Sequence, residues 1–176
     1  ASLPEVVAEF CLDAGVDGVD VGGLHGSVSG YALDAPQSPR QAIQPLMLGY
    51  GFDGVSRAGR MVFRMREGRP AAPLDGEGFA LEDPAQEGSG YRLARAPERE
   101  VPDAVRIGYV SAENDYQPAA AEAVHPAATL QRAEGSEVPV VYSSGQAQAV
   151  AERWLAELRV ARDTARFALP PSRLEL

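Results

Sequence analysis

Three residues of this chain could do nucleophilic or metal chemistry: Cys11, His25 and His125. A catalytic cysteine needs a histidine or another cation beside it to lower the pKa of its thiol, and no such residue is near Cys11 in the sequence. The two histidines are far apart and outside any Ser-His-Asp or His-Glu-x-x-His pattern. One cysteine and two histidines also cannot complete a structural zinc site. We therefore predict a buried Cys11, an exposed His25, and no catalytic, cofactor-binding or metal-binding residue.

Acids and glycines are concentrated in the segment 13–26. Asp13, Asp17 and Asp20 lack the dense alternating ligands and the distal Glu of a calcium loop. The glycines at 22–26 lack the Lys and Ser/Thr of a phosphate-binding loop, so the segment is interpreted as a surface connection. A carboxylate pair for glycoside hydrolysis stays open among 25 acids, although none of them ends a predicted core strand beside aromatic residues.

All 16 basic residues are Arg, and three of them cluster in one predicted strand. Arg60, Arg64 and Arg66 share one face of that strand by the period of two. Such a face is either an anion-binding patch or an ordinary solvated surface. We favour the solvated surface.

The charge of the whole chain argues against two classes of partner. With 16 Arg and 25 acids in 176 residues, the formal net charge is −9. An acidic chain is not attracted electrostatically to nucleic acid or anionic lipid. No apolar run reaches the roughly 18 residues of a membrane span. The sequence begins at Ala1 without Met and ends at Leu176 inside a predicted strand. We expect it to be a piece of a longer polypeptide.

The first 66 residues predict a helix, a strand, a second helix and a hairpin. Capping boxes begin at Ser2 and Ser38, each followed by Pro near the helix start. The first helix is expected to stop at Gly15. The second is expected to end at residue 49 or 51 and to be kinked or shortened by Pro45. The other predicted elements are strands over 28–33, 52–56 and 60–66, with a three-residue turn at 57–59.

The second half predicts strands followed by a long helix. Residues 67–100 are rich in Gly and Pro, with short strand candidates at 79–81 and 91–93. Further strands are predicted over 105–109, 116–124, 138–142 and 165–169. A capping box at Ser143 starts a helix over 143–162. Trp154 lies on the apolar stripe of that helix, which favours a core anchor over a ligand-stacking role.

These elements indicate an α+β fold with two structured parts and a connection between them. We expect a small α/β lobe over 1–66, a connection with short strands over 67–100, and an antiparallel β domain with one long helix over 101–176. From the residues alone, the interpretation ends at a two-part α+β fragment.

Three blocks of sequence in the same order resemble the phage tail protein domain found in gene transfer agents and related siphophages. The first block covers 30–34, 38–46 and 50–53, the second 105–109 and 115–118, and the third 151–158 and 167–171. The strand-turn-strand of the second block is also similar to tail-tip attachment proteins. Together the blocks extend from about residue 28 to the end of the chain.

The resemblance implies a structural module of a baseplate hub or tail tip. Such modules combine a β-barrel-like antiparallel domain, related to tail-tube proteins, with a small β-α-β-β lobe. The implied location is the tail of a virion or phage-like particle. The implied partners are further copies of the chain in a threefold ring, neighbouring distal tail and hub proteins, and DNA that passes through without specific binding. No catalytic residue is implied, so the chain is expected not to be an enzyme.

An alternative reading comes from a different class of protein. The predicted β-α-β-β unit also resembles the short N-terminal periplasmic domains of secretins and outer-membrane receptors, which bind a partner protein. That reading accounts for the segment 28–66 but not for the helix of Trp154 or the closing strand.

Overall fold

The computed structural model describes residues 1–33, 35, 37–66, 68, 79–80, 91–127 and 132–173. Within these ranges the chain forms three α-helices and eight strands, which confirms the α+β class. The helices are α1 (Leu3–Asp13), α2 (Pro39–Tyr50) and α3 (Ser144–Val160). The strands are β1 (Val19–Gly23), β2 (Phe52–Arg57), β3 (Arg60–Met65), β4 (Tyr91–Arg95), β5 (Ala104–Ser111), β6 (Pro118–Val124), β7 (Ala133–Tyr142) and β8 (Asp163–Phe167).

Each helix begins with the capping box that the sequence predicts. At α1, the Ser2 hydroxyl accepts from the Glu5 backbone N–H at 3.4 Å, and the Glu5 carboxylate accepts from the Ser2 N–H at 3.0 Å. Ser38 and Ser143 cap α2 and α3 in the same reciprocal way. Two otherwise unpaired backbone donors are thereby satisfied at each helix start.

The strands form three separate sheets. In the first, of order β1-β3-β2, β1 runs parallel and β2 antiparallel to β3. In the second, β4 pairs antiparallel with β8. In the third, of order β6-β5-β7, β6 is antiparallel and β7 parallel to β5.

Two predictions for the N-terminal part were wrong. The segment expected as a surface connection contains β1, where Val19 pairs with Met61 and Asp20 with Val62. Its glycines lower the strand propensity, and pairing with β3 outweighs that local preference. The strand expected over 28–33 is reduced to one bridge, between Tyr31 and Val140, so this segment covers only part of the edge of β7.

The β2–β3 hairpin is tighter than expected. Arg57 pairs with Arg60, which leaves a two-residue loop instead of the predicted three. Both loop residues, Ala58 and Gly59, have positive φ, at 50° and 74°. This is the backbone of a type I′ turn, whose twist matches that of the flanking strands.

The described strands of the second half form an open sheet, where a barrel-like antiparallel domain was expected. Strand β6 ends beside the start of β5, where Val124 pairs with Ala104. Because β7 starts at that end and lies on the other side of β5, it must run parallel to β5. The closing strand β8 does not join this sheet but pairs with β4.

A continuous set of buried side chains runs from α1 to α3. Leu3 and Val7 of α1, Leu46 of α2, and Ile107 and Val138 of the β6-β5-β7 sheet are completely buried. Elements from both halves of the sequence therefore share one core. The division at 67–100 stays a prediction, and residues 67, 69–78 and 81–90 of that stretch lie outside the described part of the chain.

Helix α2 lies very close to β7. A Cβ atom at Gly49 would be 2.4 Å from the Tyr142 hydroxyl, so only glycine fits this contact. Pro45 lies inside α2, and the helix nevertheless continues to Tyr50, where Gly51 ends it in the left-handed conformation at φ 72°.

We predict that Leu46→Ala lowers the free energy of unfolding by about 2–5 kcal/mol, because it leaves a cavity in the shared core. The matched control is Leu12→Ala on α1, at a side chain that is 59% exposed, which should change stability by less than about 0.5 kcal/mol. Urea denaturation followed by circular dichroism measures both. Equal effects of the two substitutions would contradict the assignment of Leu46 to the core.

Candidate assembly surface

The reactive residues singled out in the sequence are not brought together. Cys11 is buried in the core, where burial raises the pKa of its thiol. His25 is exposed on the connection after β1, and His125 follows β6 in the other half of the chain. Trp154 is half-buried and packs against the core from α3. Cys11 is thus a core thiol, as predicted, and Trp154 serves as an anchor of α3.

Two of the three arginines predicted to form a solvated face, Arg64 and Arg66, are engaged in ion pairs, whereas Arg60 is exposed. Arg64 binds Asp20 of β1 at 2.6 Å, and this hydrogen bond lowers the pKa of the Asp20 carboxyl to about 2. Arg66 binds Glu157 of α3 at 2.5 Å and Asp53 of β2 at 3.4 Å. These two arginines therefore connect neighbouring elements and form no anion-binding patch.

The last turn of α2 is held by arginines from outside the helix. The Arg153 guanidinium of α3 donates to the carbonyl oxygens of Leu48 and Gly49, the latter at 3.0 Å. Arg66 donates to the carbonyl oxygen of Met47 at 3.0 Å. Carbonyls at a helix C-terminus have no partner within the helix and carry partial negative charge. The two arginines supply both the donors and the positive charge, and so lock α2 to α3 and β3.

Glu157 forms an ion pair with both of these cations. Its carboxylate lies 2.5 Å from Arg66 and 3.5 Å from Arg153. Burial lowers the pKa of the Arg153 guanidinium, while Glu157 acts against that shift. The nearby Tyr142 is also deeply buried, and burial raises the pKa of its hydroxyl above the usual range. The cluster joins α2 to α3 and to the end of β3.

The most exposed regular structure in the described chain is the sheet of β4 and β8, which we call the ribbon. All ten of its residues are exposed. On one face, Tyr91 lies opposite Phe167 and Leu93 opposite Ala165. Leu93 is 70% exposed. A two-stranded ribbon with no buried face is marginally stable in water. Because its apolar side chains are exposed, they are available to a partner.

Ion pairs fix the base of the ribbon. Arg95 binds Asp163 across the strands through two contacts, at 2.5 and 2.7 Å. Just beyond β4, Glu98 binds both Arg159 and Arg162 at the C-terminal end of α3. These contacts lower the pKa of the Glu98 carboxyl. The ribbon is thereby anchored to α3, while its sides remain open.

Aromatic rings gather at the far end of the ribbon. Phe79 packs against Tyr91 and Phe167, with ring centroids 5.8 and 5.2 Å apart. Ala80 forms a bridge to Ala168 that extends this end. Alternating apolar residues at 91–93 and 165–167 signalled short strands in the sequence, but nothing local indicated that they pair with each other.

A second surface feature is a concavity of about 520 Å³ on the solvent-facing side of the β6-β5-β7 sheet. Arg106 and Glu137 flank it, and the Glu137 carboxylate extends over Gly108. The other lining residues have no ionisable side chain. One cation and one anion on a shallow face can steer a partner, but they provide no nucleophile and base together.

Neither a metal centre nor a membrane-spanning helix is found among the described residues. Within these ranges, no three His, Cys, Asp or Glu side chains are grouped closely enough to hold a metal ion. None of the three described helices is both long and apolar enough to cross a membrane.

Comparison with known proteins identifies relatives over nearly the whole chain. Residues 38–176 match the family model described as "putative phage tail protein". A chain in the virion of a native gene transfer agent particle is 48% identical over 99% of this chain, with a TM-score of 0.91. The tail protein from Neisseria meningitidis MC58 shares the fold at 12% identity over 93% of this chain, with a TM-score of 0.57. Among curated proteins, none matches the sequence.

Both of these relatives are longer than the sequence described. The chain spans 39% of the length of the virion chain and 48% of the length of the Neisseria tail protein.

We predict that Arg153→Met destabilises the protein by about 1–3 kcal/mol, because it leaves the α2 carbonyls without their donors. Arg57→Met, at an exposed position on the β2–β3 hairpin, is the matched control and should change stability by less than about 0.5 kcal/mol. Chemical denaturation of both variants measures the difference. If the two losses were equal, the helix-end contact would not be stabilising.

Asp20 provides a test by titration. Its folded pKa of about 2 lies below the ordinary value of about 3.9, so its pairing with Arg64 stabilises the fold above the ordinary pKa. That contribution is lost as pH falls toward 2. In Arg64→Met the pKa should rise toward the ordinary value, whereas Arg57→Met should leave it unchanged. Carboxyl ¹³C chemical shifts followed against pH measure it, and an unchanged pKa in Arg64→Met would exclude the ion pair in solution.

Proposed function

Since the chain belongs to the phage tail protein family, we propose that it is a structural module of a tail baseplate, placed in the hub at the tail tip. As a member of that family it is located in the tail of a phage or phage-like virion. The observation that carries the proposal is the likeness to a chain of a gene transfer agent virion over 99% of the sequence at 48% identity.

The surface of the molecule supports an assembly role. The ribbon presents apolar side chains to solvent, including Leu93 and Tyr91, on a base fixed by ion pairs. Exposed apolar residues on a defined element are typical of surfaces that become buried in a complex. In the proposed hub they contact further copies of the chain in a threefold ring, or the neighbouring distal tail and hub proteins.

The charge of the chain supports a position beside a DNA conduit. A formal net charge of −9 repels the phosphate backbone, so DNA would slide past instead of binding. In this proposal the chain contributes to host attachment and DNA delivery as part of the tail tip. Replacing by Ser those acids that the structure of the whole particle places on the channel should slow delivery, and unchanged delivery would remove this part of the proposal.

The proposal assigns the chain no catalytic step. Cys11 is enclosed in the core, and the two histidines lie in different halves of the sequence. The side chains that could react are therefore kept apart or shielded, while the engaged charged groups join elements of the fold.

The expected result of cryo-electron microscopy of particles containing the full-length protein is a ring of this fold at the tail tip with threefold symmetry. A copy with an epitope tag inserted in the Ala58-Gly59 turn, which is exposed, marks the density unambiguously. Density in the tail shaft or the head would overturn the hub assignment. Absence from every particle, with binding of the purified chain to an envelope protein, would favour the periplasmic alternative.

A further inference from the structure

A second apolar surface is a groove between α1 and the start of α2. The groove has a volume of about 440 Å³. Its apolar lining includes Phe10 of α1, Leu33 of the connection, and Pro39 and Ala42 of α2. Leu33 is 44% exposed.

Tyr31 connects the two helices that form this groove. The Tyr31 hydroxyl donates to the carbonyl oxygen of Ala42 at 2.6 Å, and the Tyr31 ring packs edge-to-face against Phe10 with centroids 6.0 Å apart. A hydrogen bond to α2 and a ring contact to α1 hold the two walls together. The groove is therefore preformed and does not need a partner to open it.

One side of the groove is acidic. Asp13 lines it directly, Glu9 is exposed one turn earlier on the same face of α1, and Asp17 is exposed just beyond the helix. The first 39 residues contain six acids and no Arg or Lys. The first Arg in the sequence is Arg40, which follows the lining residue Pro39 on α2, so the acidic character belongs to the α1 side of the groove.

The ribbon has the opposite charge. Its ten residues include three Arg and one Asp, in a chain that is strongly acidic as a whole. Arg92 lies directly opposite Arg166 in the strand register, and Leu93 stands next to Arg92 on the other face. Leu93 and Arg92 therefore point to opposite faces of β4, and β4 entering the groove by its edge places Leu93 toward the apolar lining and Arg92 toward the acids on the α1 side.

We propose that the ribbon of one copy docks into the α1–α2 groove of a second copy. This inference rests on the proposed function, because it names the contact by which copies of the chain join into a ring. Leu93 enters the apolar groove and Arg92 reaches the acids at its rim. Opposite charges on the two surfaces raise the rate of encounter and fix the orientation.

The charges also determine the symmetry of the contact. Ribbon against ribbon would bring Arg92 toward Arg92, and groove against groove would bring Asp13 toward Asp13. Both arrangements place like charges together. The favourable pairing is head to tail, the kind of contact that closes into a ring when the rotation between copies allows it.

Cross-linking between copies tests the contact directly. In a Cys11→Ala background, chains carrying Leu93→Cys are mixed with chains carrying Leu33→Cys and treated with a short bis-maleimide. The control mixture pairs Leu93→Cys with Val124→Cys, at a side chain on β6 that is 48% exposed. The proposal requires about tenfold more cross-linked dimer for 93 with 33 than for 93 with 124. Equal yields would overturn it.

Charge exchange gives an independent readout by sedimentation equilibrium at concentrations up to about 1 mM. Arg92→Glu should weaken self-association about tenfold or more, and adding Asp13→Arg should restore it to within about threefold. Arg57→Glu is the matched control on the hairpin and should have no effect. A chain that stays monomeric throughout, or an equal loss in the control, would overturn the contact.

The two proposals fail in different ways. Absence of the chain from the tail tip would defeat the hub function, whatever the copies do in solution. A hub ring in which the ribbon contacts a different protein would defeat this contact and leave the hub function intact.

Discussion

The structure depends on the contact between the C-terminal end of α2 and the arginines that meet it. Arg153 from α3 and Arg66 from the end of β3 donate to three consecutive α2 carbonyls, and Glu157 forms an ion pair with both. This contact joins the β1-β3-β2 sheet to the helix that covers the β6-β5-β7 sheet. It lets Gly49 lie against Tyr142, and from there a single core continues into both halves of the sequence.

The position of the ribbon follows from that arrangement. Helix α3 is fixed near its middle by Arg153, and its C-terminal end carries Arg159 and Arg162, which bind Glu98 at the base of the ribbon. The ribbon itself contributes nothing to the shared core. Its fixed base and exposed sides suit a part that acts in contact with other proteins, as expected of a tail protein that functions by its place in an assembly.

Contacts between residues close in the sequence could be predicted, whereas strand pairing between distant residues could not. The capping boxes at Ser2, Ser38 and Ser143 involve residues three positions apart, so a short pattern determines them. The β4–β8 ladder joins residues as far apart in the sequence as Tyr91 and Phe167. The role of Arg66 was missed for the same reason, because its α2 and α3 partners are distant in sequence and its spacing within the strand indicated only an exposed face.

If the ribbon is an assembly surface, its backbone amides are exposed in the isolated chain and covered in the particle. Hydrogen–deuterium exchange measures this difference. The exchange of backbone amides in 91–95 and 163–167 is compared between the isolated chain and intact particles, with β5 as the internal reference. The account predicts fast exchange of the ribbon in the isolated chain and strong protection in the particle, with β5 protected in both. Equal exchange of the ribbon in the two states would contradict it.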